Sequence, residues 1–215
     1  MKISILVDNP KSWIMPYAEI LLERFLALKH EVRMVQDIGN LREGDCAFFL
    51  GCEKIVPRQI LNLNKHNLVV HESDLPRGKG WSPLTWQILE GKNEVPISLF
   101  EAEDEVDSGE IYLQDVMHFE GHELIDELRV IQGSKTVDMA LEFIERYAEF
   151  EKSGGKKQEG KETFYPRRRS RDSELETDKS IIKLFNKLRV VDNERYPAFF
   201  KYKGHTYTIK IEKRN

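Results

Sequence analysis

HESDLPRGKGWSPLTWQILEGKNEVPISLFEAEDEVDSGEI, residues 71–111, decides more about the fold and chemistry of this chain than any other stretch. It begins where the apolar run Leu68-Val69-Val70 ends, so that run reads as a buried strand delivering His71 to a sheet edge. A Gly-rich basic loop follows, Arg77-Gly78-Lys79-Gly80-Trp81-Ser82. Ser82 and Pro83 then stand as N-cap and first helical residue of a short helix that Gly91 stops. Residues 95–100 alternate as a strand, and Asp107-Ser108-Gly109 is turn chemistry ahead of another strand at 111–119. Strand, loop, helix and strand in this order bring His71 and Asp107 to one end of a sheet. A carboxylate beside an imidazole fixes its tautomer and stabilises the imidazolium, which makes the pair a usable general base near neutral pH.

Working outward, residues 2–7 read as a first buried strand and residues 8–13 as a loop. Ile20, Leu21, Phe25 and Leu28 have helical spacing within 18–29. Strands follow at 31–35 and 46–50, and Pro57 opens a helix expected to end near Lys65, before the strand at 68–71. Strands alternating with helices predict an α/β fold with a Rossmann-like, mostly parallel sheet, whose ligands bind at the carboxyl ends of the strands. No Gly-x-Gly-x-x-Gly follows the first strand, so a dinucleotide site is not implied. Residues 123–150 read as helix in two pieces, broken near Gly133-Ser134. These elements predict a catalytic domain at 1–150 and a polar, Gly-rich linker at 151–170. A C-terminal extension at 171–215 holds a helix near 178–189 and a hairpin turning at Lys203-Gly204-His205.

With 215 residues, 40% of them hydrophobic, the chain can bury a substantial core. A net charge of −4 argues against bulk electrostatic binding to nucleic acid. Cys46 and Cys52 have no metal-like spacing and read as reduced thiols, and His30, His66, His118 and His122 form no zinc-holding pattern. Neither a signal-peptide layout nor a membrane-length apolar run is visible, so a cytoplasmic protein that spans no membrane is expected.

The residues His71, Leu75-Pro76, Arg77-Gly78, Pro83 and Asp107-Ser108-Gly109-Glu110-Ile111 resemble the core pattern of the formyltransferases that use N10-formyltetrahydrofolate. A weaker match lies at Gly51-Cys52-Glu53-Lys54-Ile55-Val56-Pro57 and Ile60-Leu61. Residues 189–213 resemble the tail of sugar N-formyltransferases, through Tyr196-Pro197-Ala198-Phe199-Phe200. One departure matters: where the family carries Asn two residues before the His, this chain has Val69, so the usual oxyanion-stabilising amide is missing.

The resemblance implies transfer of a formyl group from N10-formyltetrahydrofolate to an amine, with His71 and Asp107 catalytic and no metal. It implies folate contacts at Cys52, Ile55, Val56, Asp104, Glu105 and Val106. The acceptor it implies is the amino group of a nucleotide-linked deoxy sugar. In its Val-x-His variant and its tail the chain looks most like enzymes of the pseudaminic acid pathway, whose acceptor would be UDP-4-amino-4,6-dideoxy-N-acetyl-altrosamine. Arg77, Gly78, Lys79, Gly80, Trp81 and Ser82 are the candidate diphosphate loop, because glycines allow close approach and two cations offer charge. Trp13, Tyr17 and Tyr196 are candidate aromatic platforms, with core packing the alternative. Arg167, Arg168, Arg169 and Arg171 read first as a solvated run, and diphosphate binding, implied by the resemblance, is their minority reading.

Methionyl-tRNA formyltransferase and glycinamide ribonucleotide formyltransferase are the alternative enzymes. The first needs a larger basic C-terminal domain, and the second lacks the linker and hairpin. A non-catalytic folate- or nucleotide-binding module is the alternative of a different class, suggested by Val69. Phe199, Phe200, Tyr202, Tyr207 and Ile209 give the hairpin more apolar surface than two strands bury, which predicts a homodimer with the hairpin at or near its interface.

Overall fold

The computed structural model describes residues 1–214 and is built on one six-stranded mixed sheet. Its strands are β1 (Lys2–Leu6), β2 (Glu31–Val35), β3 (Gly44–Phe49) and β4 (Asn64–His71), then β6 (Glu94–Glu101) and β7 (Ile111–His118) beyond the two-residue β5 (Lys79–Gly80). The order across the sheet is β2-β1-β3-β4-β6-β7. The first four strands pair in parallel, while β4–β6 and β6–β7 are antiparallel. The mostly parallel α/β sheet expected from the alternating elements is therefore the one observed, with an antiparallel edge added by the β6–β7 hairpin. The chain leaves β1 in one direction to reach β2 and returns on the other side to β3. That switch point opens a crevice at the carboxyl ends of the parallel strands.

Both faces of the central strands are buried, which is why β1 and β3 read as continuous apolar runs rather than alternating ones. Cys46 and Phe48 turn to the larger core, where Phe25, Phe143 and Leu128 pack. Ala47 and Phe49 turn to a smaller one with Leu6, Leu41 and Leu61. Helices α1 (Met15–Ala27) and α4 (Ile125–Glu145) build the first core, and α2 (Arg58–Leu61) contributes to the second. Between β5 and β6 lies α3 (Pro83–Leu89), and after α4 comes α5 (Tyr147–Ser153).

Three local expectations need correction. The helix opened by Pro57 ends at Leu61, and β4 starts earlier than the apolar run, at Asn64, because Gly44 and Cys46 of β3 pair with Asn64 and His66. Helix α4 runs straight through Gly133 and breaks at Arg146 instead. Gly133 is there for packing: a Cβ would stand 2.5 Å from the Tyr17 ring of α1. Ser82 occupies the N-cap position of α3 but in the left-handed region, at φ 51°, and makes no side-chain capping bond.

The polar stretch after α5 lies against the sheet domain. Lys156 bridges to Ile111, and β8 (Phe164–Tyr165) pairs in parallel with β5. Helix α6 (Ile181–Arg189) and the hairpin β9 (Ala198–Tyr202) and β10 (His205–Ile209) then share an apolar cluster of Leu175, Leu184, Leu188, Val191 and Ala198. Arg189 is 1% exposed; its guanidinium donates to the Glu123 carboxylate at 2.7 Å and to Asn93 at 3.0 Å, fixing the end of α6 to the main domain.

Candidate active site

His71 ends β4 at the carboxyl edge of the parallel strands and is 7% exposed. Its Nε2–H donates to the Gly78 carbonyl at 2.8 Å, and the same nitrogen lies 3.8 Å from Asp107 Oδ2. Asp107 Oδ2 in turn accepts from the Gly80 N–H at 2.8 Å. The Gly-rich loop thus holds both members of the pair: one glycine carbonyl binds the imidazole and one glycine N–H binds the carboxylate.

Asp107 has φ 53°, a left-handed conformation that a non-glycine residue keeps only when its surroundings enforce it. They do so at three points. Gln158 donates its side-chain amide to the carbonyls of Asp107 and Gly109, both at 2.9 Å. The Ser108 hydroxyl donates to the Glu105 carbonyl. Gly109 packs so closely on the next strand that a Cβ would come within 1.9 Å of the Glu101 carbonyl. The Asp-Ser-Gly sequence is thus a requirement of how the turn seats Asp107.

The pair opens on a cavity of about 500 Å³ lined by the loops after β1, β3 and β4. One stripe of α4 also faces it, Ile125, Arg129, Gln132 and Thr136, at helical spacing. Cys52, Ile55, Val56 and Val106 are on its wall, as are Trp13, Gly80, Trp81, Ser82 and Tyr196. Asp104 and Glu105 are off it: Asp104 lies 3.9 Å from Arg58, and Glu105 uses its carbonyl in the turn. The loop carrying Cys52 is tied down by Asp8, whose carboxylate accepts from the N–H groups of Glu53 and Lys54. Burial pushes the Cys52 thiol up to about 12, so it is an inert wall and no nucleophile.

The basic loop is arranged differently from a diphosphate cradle. Arg77 and Gly78 are absent from the cavity wall, and so is Lys79. Arg77 is exposed, while Lys79 is 1% exposed with its ammonium on the Glu162 carboxylate. The backbone N–H groups are also consumed: Arg77 bonds Asp74, Lys79 bonds Thr163, Trp81 bonds Tyr165, and Gly78 bonds the Thr163 hydroxyl. The backbone N–H groups from Arg77 to Trp81 are thus spent within the protein, and the loop's contacts at Gly78 and Gly80 hold His71 and Asp107.

Three cations on the cavity wall, Arg167, Arg168 and Arg169, come from the returning stretch before α6, beside Lys54, Arg129 and Arg195. Arg167 is paired with Glu53 and lies 4.4 Å over the Trp81 ring. Arg168 is half-buried, and its hydrogen bonds among the described residues are long ones to the Val190 and Asp172 carbonyls and the Ser173 hydroxyl. Burial lowers its pKa from the ordinary value, partly offset by Asp172. Among the described residues no carboxylate forms an ion pair with Arg168 or Arg169. Asp192 and Arg195 add further charge, Asp192 holding Arg129 at 2.9 Å.

Comparison with known proteins decides the family. A model of the formyl transferase family, described as "Formyl transferase", matches residues 22–131, just over half of the chain. The chain belongs to the formyl transferase family. The stretch matched carries both His71 and Asp107. Among relatives, the methionyl-tRNA formyltransferase of Fusobacterium nucleatum is 25% identical over 157 residues, 73% of this chain and 50% of that protein. The chain spans about half the length of the curated relatives it matches. In structure, a methionyl-tRNA formyltransferase from Clostridium thermocellum superposes with a TM-score of 0.82 at 24% identity, covering 100% of this chain and 94% of that one. A sugar N-formyltransferase from Shewanella superposes at 0.70 and 15% identity, covering 100% and 98%. At these identities the two structures establish the formyl transferase fold.

Residues that the sequence pattern did not single out complete the wall. Gln132 comes from the middle of α4, and Glu72 directly follows His71. Gln132 Nε2 donates to Glu72 Oε1 at 2.6 Å. Burial raises the Glu72 carboxyl above its ordinary pKa, with the nearby His71 and the Gln132 bond working against it. Adjacency to His71 was the one signal available for Glu72; nothing local marks Gln132.

Proposed function

We propose that this chain is an N-formyltransferase that moves a formyl group from N10-formyltetrahydrofolate to the amino group of a nucleotide-linked deoxyamino sugar. The observation that carries this reading is the presence of the His71–Asp107 pair and the carboxylate-free Arg168 on the wall of one cavity. Members of the formyl transferase family use formyl-tetrahydrofolate as donor. The residues present suit it: Phe49, Val69 and Phe100 line the cavity with apolar surface, and Ile55 and Val106 stand exposed beside them. A flat pterin fits such a slot, with Cys52 and Val56 along one side. When bound, the folate supplies the activated formyl group.

His71 then handles the proton that the attacking nitrogen sheds, and its imidazolium stabilises charge on the carbonyl oxygen. Asp107 orients the ring and stands as countercharge when the imidazole takes up a proton. Val69 offers no donor at the position of the family's amide. An oxyanion donor is commonly worth about 2.7–4 kcal/mol, and His71 Nε2–H, which in this structure is held by the Gly78 carbonyl, is the donor nearest that role. Trp81 and Tyr196 offer faces for a base or sugar, and Arg168 with Arg169 offers charge for a diphosphate.

The acceptor we favour is UDP-4-amino-4,6-dideoxy-N-acetyl-altrosamine, as in pseudaminic acid biosynthesis, acted on by a cytoplasmic homodimer. Incubation with N10-formyltetrahydrofolate and a panel of UDP- and dTDP-linked amino sugars, read by mass spectrometry of the product, tests it. The Fusobacterium and Clostridium relatives favour a second reading, in which the amine is that of methionyl-tRNA. Formylation of methionyl-tRNA and of no sugar in that panel selects the second.

A further inference from the structure

We propose that Glu72 receives the acceptor's ammonium group and takes its first proton, leaving His71 for the charge that develops at the formyl carbon. The inference rests on the reading of the chain as a transferase to an amine. An alkylamine arrives at neutral pH as an ammonium, which has no lone pair to attack with. Two proton tasks therefore exist, and one imidazole held by Asp107 serves only one of them well.

A second group stands beside His71. Glu72 is on the cavity wall, next in sequence to His71. One carboxylate oxygen is held by Gln132 Nε2 at 2.6 Å, and its own carbonyl accepts from Gln87 Nε2 at 2.6 Å, so the residue is fixed at both ends. Among the described residues no Lys, Arg or His forms an ion pair with its carboxylate. The nearest arginine of the α4 stripe, Arg129, is committed to Asp192 at 2.9 Å and Asp126 at 3.4 Å. A fixed, half-buried carboxylate with no cation of its own is the chemistry that selects an ammonium over a hydroxyl, because a charge partly withdrawn from water gains from being paired. Burial, which raises its affinity for a proton, also suits it to accept one.

The step balances. Glu72 carboxylate and R–NH3⁺ become the carboxylic acid and R–NH2. The nitrogen lone pair forms the new C–N bond to the formyl carbon, while the carbonyl π pair moves to oxygen. The pair returns as the bond to the folate nitrogen breaks, and that nitrogen leaves with the proton that His71 takes from the acceptor. Glu72 returns its proton to solvent after product leaves.

Glu72→Gln keeps the shape and the Gln132 contact while removing the charge. Transfer from N10-formyltetrahydrofolate would be measured to the UDP- and dTDP-linked amino sugars and to methionyl-tRNA, with donor affinity followed in parallel. With whichever acceptor the wild type uses, kcat/KM for Glu72→Gln should fall by about 10²-fold, with donor affinity unchanged. Glu72→Asp should recover part of the loss. Gln132→Met, which frees the carboxylate without discharging it, should cost less than Glu72→Gln. Wild-type transfer combined with a Glu72→Gln value within threefold of it would overturn the role of Glu72 and leave the transferase reading standing. No wild-type transfer to any of these amines would overturn that reading and Glu72's role with it. If donor affinity falls together with acceptor turnover, the residue shapes the cavity and the proposal fails.

Discussion

Asp107 Oδ2 lies 3.8 Å from His71 Nε2 while it accepts a 2.8 Å hydrogen bond from the Gly80 N–H, two residues beyond the Gly78 carbonyl that binds the same imidazole nitrogen. One loop therefore sets the separation of a residue that ends β4 and one in the turn between β6 and β7. Bringing Asp107 closer needs only that Nε2–H turn from the Gly78 carbonyl, a shift that substrate entry can drive.

The first prediction concerns that pair. His71→Asn should reduce formyl transfer by about 10²- to 10⁴-fold, the range for a positioned general base. Asp107→Asn should come close to it, because the ring loses both orientation and countercharge. Calorimetric titration with folate should show donor affinity within a few fold for both variants.

The second concerns the missing amide. Val69→Ala should leave the rate within a few fold, because valine donates nothing. Val69→Asn places an amide between Phe49 and Phe100 in the sheet, and an unpaired one costs roughly 1–3 kcal/mol in a thermal or urea denaturation. A large rate loss in Val69→Ala with unchanged folding would show that side-chain volume at this position shapes the site.

Charge on the cavity wall gives the third. Arg168→Met should raise the acceptor KM about tenfold, since hydrogen bonds to charged groups contribute roughly 1.5–3 kcal/mol. Lys79→Met should leave that KM alone, because its ammonium is buried on Glu162 and never meets the cavity. The reverse pattern would return the anion site to the loop after β4.

The fourth is about stability and pH. Burial works to raise the Glu123 carboxyl, but the Glu120 and Gly121 N–H groups and the Arg189 guanidinium outweigh it and hold the pKa below its ordinary value. A depressed carboxyl stabilises the fold fully above its unfolded pKa and loses that contribution as pH falls through the folded one. Melting curves from pH 6 downward should therefore show the wild type losing an advantage over Glu123→Gln below about pH 4.3, the unperturbed glutamate value. Arg189→Leu should destabilise at neutral pH by about 3–5 kcal/mol, as breaking one side of a buried pair does.

How much of this was legible depended on where the deciding contacts lie in the chain. His71 is legible as the end of an apolar strand, whereas Asp107 alone reads as an ordinary turn acid and gains its weight from the family resemblance. The place of Arg168 on the cavity wall is not legible: its basic run reads first as solvated, with diphosphate binding a minority reading. Arg168 reaches the cavity only because β8 folds back to pair with β5, a contact between residues 79–80 and 164–165 that no local signal announces. Lys79 misled for the same reason: Glu162, which buries its charge, lies far away in sequence. Gly133-Ser134 reads in the sequence as a break in the long helix, whereas that glycine is demanded by the ring of Tyr17 and the helix ends at Glu145.

The tail offers the fifth prediction. One face of α6 and the hairpin is packed in its own cluster, while Ile181, Ile182, Tyr202 and Tyr207 remain exposed. If these close a homodimer, Ile182→Glu with Tyr207→Glu should shift sedimentation from dimer to monomer at micromolar concentration. A wild type that sediments as a monomer ends the dimer proposal.

Formyl transfer itself is the most direct measurement. With N10-formyltetrahydrofolate and UDP- or dTDP-linked amino sugars, the wild type should release tetrahydrofolate and an N-formylated sugar nucleotide in equal amounts, while His71→Ala retains about a hundredth of that rate or less. Equal rates in wild type and His71→Ala would contradict the account at its centre.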